Sequence, residues 1–149
     1  MKNRKIKIKN KIINHLMLNG EKKTSEKILL KSFKELQKSS KKQSKKLIEL
    51  AIIFSTPVFK VHKITNKKRK KKKIKEIPTI ITAKKARISL AIKFILNTLK
   101  NKKSSNFYTE FNKEILLNLK SEGSAIQIKN EVQKQVLLKK HFFSYYRWK

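Results

Sequence analysis

The residues whose types could run acid–base or metal chemistry are three histidines and nine carboxylates. His15, His62 and His141 lie far apart, and none makes a metal-spaced pair such as HxxxH. His15 reads as a helix-surface residue. Glu110 and Glu114 stand one helical turn apart beside Lys113 and read as surface charge. Two-metal nuclease chemistry needs several convergent carboxylates, and this chain, whose acids are all Glu, supplies few. The absence of cysteine excludes disulfides and thiolate metal sites. Two glycines exclude the Gly-rich loops that cradle phosphates. No enzyme activity, metal or cofactor is expected.

The chemistry this chain is rich in is phosphate neutralisation. Its 149 residues carry 41 Lys+Arg against 9 acids, a formal charge of +32. Such a surface calls for a polyanionic partner. Four of the cations are Arg: Arg4, Arg69, Arg87 and Arg147. Arginine makes bidentate contacts to base edges, whereas lysine acts as a point charge. The balance therefore favours binding to backbone and shape over reading a base sequence, which suits a folded RNA. Lys67 to Lys73 has rival readings as a nuclear localisation signal or a heparin-type patch. Tyr145, Tyr146 and Trp148, around Arg147, could stack on bases or close the core at the chain terminus. The longest wholly apolar run, Leu50 to Phe54, is far short of a bilayer span, and no membrane partner is expected.

Positioning these cations requires a scaffold, and the apolar pattern supplies one. Residues 1–11 form a basic N-terminal arm. Ile12, Ile13, Leu16 and Met17 recur at helical spacing, with Asn19-Gly20 as a stop. Thr24 or Ser25 is expected to cap a second helix bearing Ile28, Leu29, Phe33 and Leu36. Residues 38–46 read as a polar loop. A third helix runs from Leu47 to Phe54, and Pro57 ends it. Val58 to Ile64 and Ile77 to Ile81 are β-prone runs around a lysine-rich tip, which predicts a β-ribbon over about 58–82. Residues 83–100 carry the clearest helix, with Ile88, Ala91, Ile92, Ile95, Leu96 and Leu99 on one face. Ser105 or Asn106 caps a fifth helix with Phe107, Phe111, Ile115, Leu116 and Leu119 facing inward and Gly123 just past its end. Residues 130–140 form the last helix, through Val132, Val136 and Leu137. The expected fold is mainly α: five or six helices in one helical domain, residues 12–140, with a protruding β-ribbon inserted between the third and fourth helices. Residues 141–149 form an aromatic-basic tail.

Several segments, in order, resemble the small-subunit ribosomal protein seven family. Residues 13–28, INHLMLNGEKKTSEKI, resemble its first-helix block. Residues 51–61, AIIFSTPVFKV, resemble the approach to its ribbon. IPTII followed by ARISLAIKFIL resembles its Arg…Leu-Ala-hydrophobic-Arg-Trp segment, with Lys93 and Phe94 in place of the last pair. Residues 123–131, GSAIQIKNE, and the ending FFSYYRW resemble its last two blocks. The resemblance spans about Ile12 to Trp148. The family's Gly-Gly ribbon segment is absent, and a longer lysine run replaces it.

The resemblance implies a structural constituent of the small ribosomal subunit. It would bind the 3′ major domain of small-subunit rRNA, nucleate head assembly, and lie near the exit-site tRNA and the mRNA path beside other head proteins. It places the family's basic positions at Lys22 and Lys23, at Arg87 with Lys84 and Lys85, and at Arg147. Charge alone adds Lys2, Arg4, Lys5, Lys7 and Lys9 of the arm, Lys67, Lys68, Arg69, Lys70 and Lys71 of the ribbon tip, and Lys139 and Lys140. Lys, Ile and Asn, with A/T-rich codons, make up 67 residues. The family block starts at about Ile12, which leaves no room for a cleavable presequence. Together these suggest synthesis inside a mitochondrion; a plastid or an AT-rich bacterium is the alternative. The competing function is a non-ribosomal nucleoid or regulatory nucleic-acid-binding protein.

Overall fold

The computed structural model describes residues 8–40, 43–65, 74–101 and 106–145. Among these residues the chain forms six α-helices and a two-stranded antiparallel ribbon. In order they are α1 (Ile8–Leu16), α2 (Lys22–Ser39), α3 (Ser44–Phe54), β1 (Phe59–Thr65), β2 (Ile74–Ile80), α4 (Lys84–Asn101), α5 (Phe107–Leu119) and α6 (Ser124–Leu138). A 3₁₀ turn, Lys140–Tyr145, follows α6. The ribbon lies between the third and fourth helices, as the apolar pattern predicts.

Helical periodicity explains the core. Ile12 and Ile13 of α1, Leu29 and Leu36 of α2, and Leu47, Ile48, Ala51 and Ile52 of α3 meet Ala91, Ile92, Ile95, Leu96 and Leu99 of α4. Phe111 and Ile115 of α5 and Ala125 of α6 complete the cluster. The α4 stripe is buried from Ala91 to Leu99, and Ile88 packs partly buried at its start. Three residues of the expected apolar stripes lie outside the core instead: Ile28 of α2 and Leu116 of α5 are each 36% exposed, and Leu137 of α6 is 65% exposed.

Several boundaries move, each for a local reason. The first helix starts at Ile8, so residues 8–11 of the basic arm are helical, and Ile8 packs against the core. Asn19 and Gly20 both take positive φ, 49° and 83°, which stops the chain before α2. The second helix begins at Lys22, with Glu21 at its N-cap, earlier than a Thr24 or Ser25 cap would allow. The Thr24 hydroxyl instead donates back to the Glu21 carbonyl at 2.7 Å. The third helix starts at Ser44, inside the expected loop, and ends before Pro57. There the Ser55 N–H and hydroxyl both donate to the Ala51 carbonyl, at 3.1 and 2.9 Å.

The ribbon pairs Phe59 with Ile80 through Thr65 with Ile74. Strand β2 thus begins three residues before Ile77. A two-stranded ribbon has two edge strands, so Pro78 fits opposite Val61 without breaking a central ladder. The ribbon's base is fixed by the Ile81 N–H, which donates to the Val58 carbonyl at 2.9 Å. Phe59 meets Phe143 of the 3₁₀ turn with ring centroids 6.0 Å apart.

The α5–α6 junction differs most from expectation. Ser121, not Gly123, takes the left-handed conformation after α5, with φ 64°. Gly123 is the N-cap residue of α6, which starts at Ser124 rather than near residue 130. A glycine cannot cap with a side chain. The carboxylate of Glu114 reaches across from α5 and accepts the Ala125 N–H at 3.0 Å. Glu114 is fully buried, so its reading as surface charge is wrong. An acid at a helix N-terminus is favoured by the helix dipole and satisfies an otherwise orphaned donor. Glu110 does stay near the surface, bridging to Lys113 at 3.0 Å.

Candidate nucleic-acid interface

Among the described residues, like charges meet where α1 lies against α4. Lys11 and His15 are one turn apart on α1, and Lys85, Ser89 and Lys93 follow the same spacing on α4. The Lys11 ammonium donates to the Lys85 carbonyl at 2.7 Å and to the Ser89 hydroxyl at 3.2 Å. Partial burial and the Lys85 charge hold Lys11 below the ordinary lysine value. Partial burial, then Lys93 and Lys11, push His15 below the usual histidine range. Among the described residues no ion pair joins Lys11, Lys84, Lys85 or Lys93 to a carboxylate. Converging cations without an internal counter-charge are stabilised by an external anion.

The residues singled out by charge and resemblance divide into groups. Lys84 and Lys85 are exposed at the start of α4, and Lys22 and Lys23 at the start of α2. Lys140 is exposed at the start of the 3₁₀ turn. Arg87 is half-buried, and its Nε donates to the Ile81 carbonyl at 2.6 Å, bracing the chain between ribbon and α4. Lys9 pairs with Glu26 at 2.8 Å. Lys139 pairs with Glu76 of β2, which Lys63 also approaches at 3.5 Å. These lysine contacts hold the carboxyls of Glu26 and Glu76 below the usual carboxylate range. Lys2, Arg4, Lys5, Lys7, Lys67, Lys68, Arg69, Lys70, Lys71 and Arg147 lie outside the described residues, as do Tyr146 and Trp148.

Sequence reasoning passed over Lys93 and His15 as members of this surface and did not carry Lys11 forward as a contact. A signal was present: positions 11 and 15, and 85, 89 and 93, recur every four residues. The packing of α1 on α4 gives those two rows one location.

Among the described residues no cluster of three or more potential metal ligands occurs, and no helix is long and apolar enough to cross a membrane. A rigid helical body, uncompensated cations on one helix pair and a projecting ribbon define a class: a basic scaffold protein built to meet a polyanion. Comparison with known proteins makes the assignment particular. Residues 2–139 match the family described as ribosomal protein S7p/S5e. Among curated relatives, small ribosomal subunit protein uS7m of Reclinomonas americana is 30% identical over 138 residues, covering 93% of this chain and 83% of the relative. Small ribosomal subunit protein uS7 of Wigglesworthia glossinidia brevipalpis is 28% identical over 141 residues, covering 95% and 86%. Small ribosomal subunit protein uS7c of Euglena gracilis is 28% identical over 132 residues, covering 89% and 81%. This chain belongs to the ribosomal protein S7p/S5e family, whose members are structural rather than enzymatic.

Proposed function

We propose that this chain is a structural constituent of the small ribosomal subunit that binds the 3′ major domain of small-subunit rRNA and helps to nucleate the head. The observation that carries the reading is the α1–α4 surface, where Lys85 lies against Lys11, and Lys11 and Lys93 lie against His15. Phosphates from two RNA segments entering this surface would neutralise both helices at once, and counterion release would supply much of the affinity. Lys84, Lys85, Lys22 and Lys23 are the exposed contacts at helix starts. The ribbon and the C-terminal segment would extend the contact toward the exit-site tRNA and the mRNA path, beside other head proteins. The compartment we favour is the mitochondrial matrix, on the A/T-biased composition and the likeness to the Reclinomonas americana protein.

Binding of the purified chain to its own 3′ major domain, titrated with salt beside a size-matched structured RNA, tests this. A preference of about 10³ or more would match specific recognition. The double variant K84A/K85A, which leaves the Arg87 brace intact, should bind more weakly. Its salt slope should fall by about 0.7–0.9 for each phosphate left without its lysine. Equal affinity for both RNAs would refute specific rRNA recognition.

A further inference from the structure

The turn between α1 and α2 sets a reactive side chain beside an unguarded backbone nitrogen. Of the chain's eleven asparagines, Asn19 alone precedes a glycine. The side-chain carbonyl carbon of an asparagine is open to attack by the backbone nitrogen of the next residue. A Cβ on that next residue obstructs the attack, and glycine has none. The Glu21 N–H donates to the Leu18 carbonyl at 2.9 Å and closes a turn whose central residues, Asn19 and Gly20, both have positive φ. That is the type I′ pattern, in which Asn and Gly are favoured. Among the described residues neither the Gly20 N–H nor the Asn19 side chain has a hydrogen-bond partner. Leu18 to Thr24 is exposed throughout, and a Cβ placed on Gly20 would meet no atom within 4 Å. A ring formed by this attack therefore has room to close.

The other described asparagines contrast with it. Asn112 and Asn118 are buried. Asn14 and Asn97 lie inside α1 and α4, where the helical hydrogen bond holds the N–H that follows each of them.

We propose that Asn19 is a site of spontaneous deamidation, which converts the α1–α2 turn into a mixture of aspartate and isoaspartate. The Gly20 nitrogen gives its proton to water and bonds to Asn19 Cγ. The Cγ–Nδ2 bond breaks, and Nδ2 leaves as ammonia. Water then opens the cyclic succinimide. Addition at Cγ releases the Gly20 nitrogen from Cγ and leaves aspartate. Addition at the main-chain carbonyl carbon breaks its bond to that nitrogen, so the chain runs on through Cγ and the residue is isoaspartate. By either route an amide and a water become a carboxylate and an ammonium ion.

Both products add a negative charge just before α2, beside Lys22 and Lys23, where the helix dipole favours it. Isoaspartate also lengthens the backbone by a carbon and removes the turn that leads α1 into α2. On the proposed function, Lys22 and Lys23 then face a carboxylate of their own chain, and RNA affinity falls.

The test ages the full chain near neutral pH beside a free peptide of residues 12–22, the tryptic fragment that carries both Asn14 and Asn19. Mass spectrometry with electron-transfer fragmentation follows each residue. Asn19 should convert at a rate comparable to that in the peptide, with Asn14 of the chain unchanged. The aged chain should also accept labelled methyl groups from S-adenosylmethionine in the presence of an isoaspartyl methyltransferase. Asn19→Gly, which takes the same positive φ, should lose this labelling. An Asn19 still intact when the peptide has converted overturns the proposal, and so does labelling undiminished in Asn19→Gly. Titrating fresh and aged chain against the 3′ major domain separates the site from its consequence. The aged chain should bind several-fold more weakly. Full conversion with unchanged affinity would remove Lys22 and Lys23 from the proposed RNA surface and leave the deamidation site standing.

Discussion

Two helix pairs of this protein use charge in opposite ways. Where α5 hands the chain to α6, a fully buried carboxylate, Glu114, meets the N-terminus of α6 at the Ala125 N–H. Where α1 crosses α4, Lys11, Lys85, Lys93 and His15 gather with no carboxylate paired to the lysines among the described residues. In the first the carboxylate meets a donor of the chain itself; in the second no carboxylate of the described residues balances the lysines, which on the proposed function leaves them for an anion from outside. In a protein with nine acids and 41 basic side chains, carboxylates are scarce enough for their positions to be informative. Glu114 caps a helix, Glu76 ties β2 to Lys139, and Glu26 ties α2 to Lys9. These acids hold elements together, and the proposed function assigns the cations without a carboxylate to the RNA. Fold and binding should therefore respond separately to mutation.

The largest effect should come from the α5–α6 side. Glu114→Ala strands the Ala125 N–H in a buried site and should cost about 3 kcal/mol in a denaturant titration. Glu114→Gln, which keeps an acceptor oxygen, should recover part of this. Gly123→Ala comes next. A Cβ there would lie 1.9 Å from Oδ1 of the buried Asn118, forcing that side chain to move. A loss of about 2 kcal/mol is expected, in the range for overpacked cores. If either variant kept wild-type stability, the junction would not be the half of the comparison that holds the fold.

On the α1–α4 side the order reverses. Lys85→Ala should change stability by less than about 0.5 kcal/mol, as an exposed residue does, and should relieve the charge pressing on Lys11. RNA affinity should nevertheless fall. A variant that lost stability but bound RNA normally would invert the assignment. The smallest effect is a pH dependence. The folded state holds His15 below its ordinary value, so the unfolded chain binds more protons as pH falls through about 6.5. Stability should decline from there down to the folded value and then level off. His15→Ala should remove this acid-side decline, measurable as a flatter profile of unfolding midpoint against pH. Bound phosphates favour the imidazolium, so RNA binding near pH 6 should take up protons in wild type and take up fewer in His15→Ala.

Much of the scaffold is legible in the residues alone because it rests on local rules. The α4 stripe, the Asn19-Gly20 stop, the Pro57 boundary and the β-prone runs around the lysine tip each depend on neighbours within a few residues. Departures fall where distant groups intervene. Gly123 reads as the end of α5, but Ser121 takes the left-handed turn and the Glu114 carboxylate supplies a cap that Gly123 lacks. Lys139 reads as a cation for RNA by charge alone, and the fold also pairs it with Glu76 of the ribbon. Arg87 reads as a basic contact position, and the Ile81 carbonyl shows that it also braces the fold.

Apolar periodicity, breakers and composition thus suffice for the helices, the ribbon and the strong positive charge. Which charges are satisfied inside is settled by packing. A carboxylate's partner depends on distances across the fold, and no local pattern encodes them. For the same reason the rows at 11 and 15 and at 85, 89 and 93 become one surface only when α1 packs on α4.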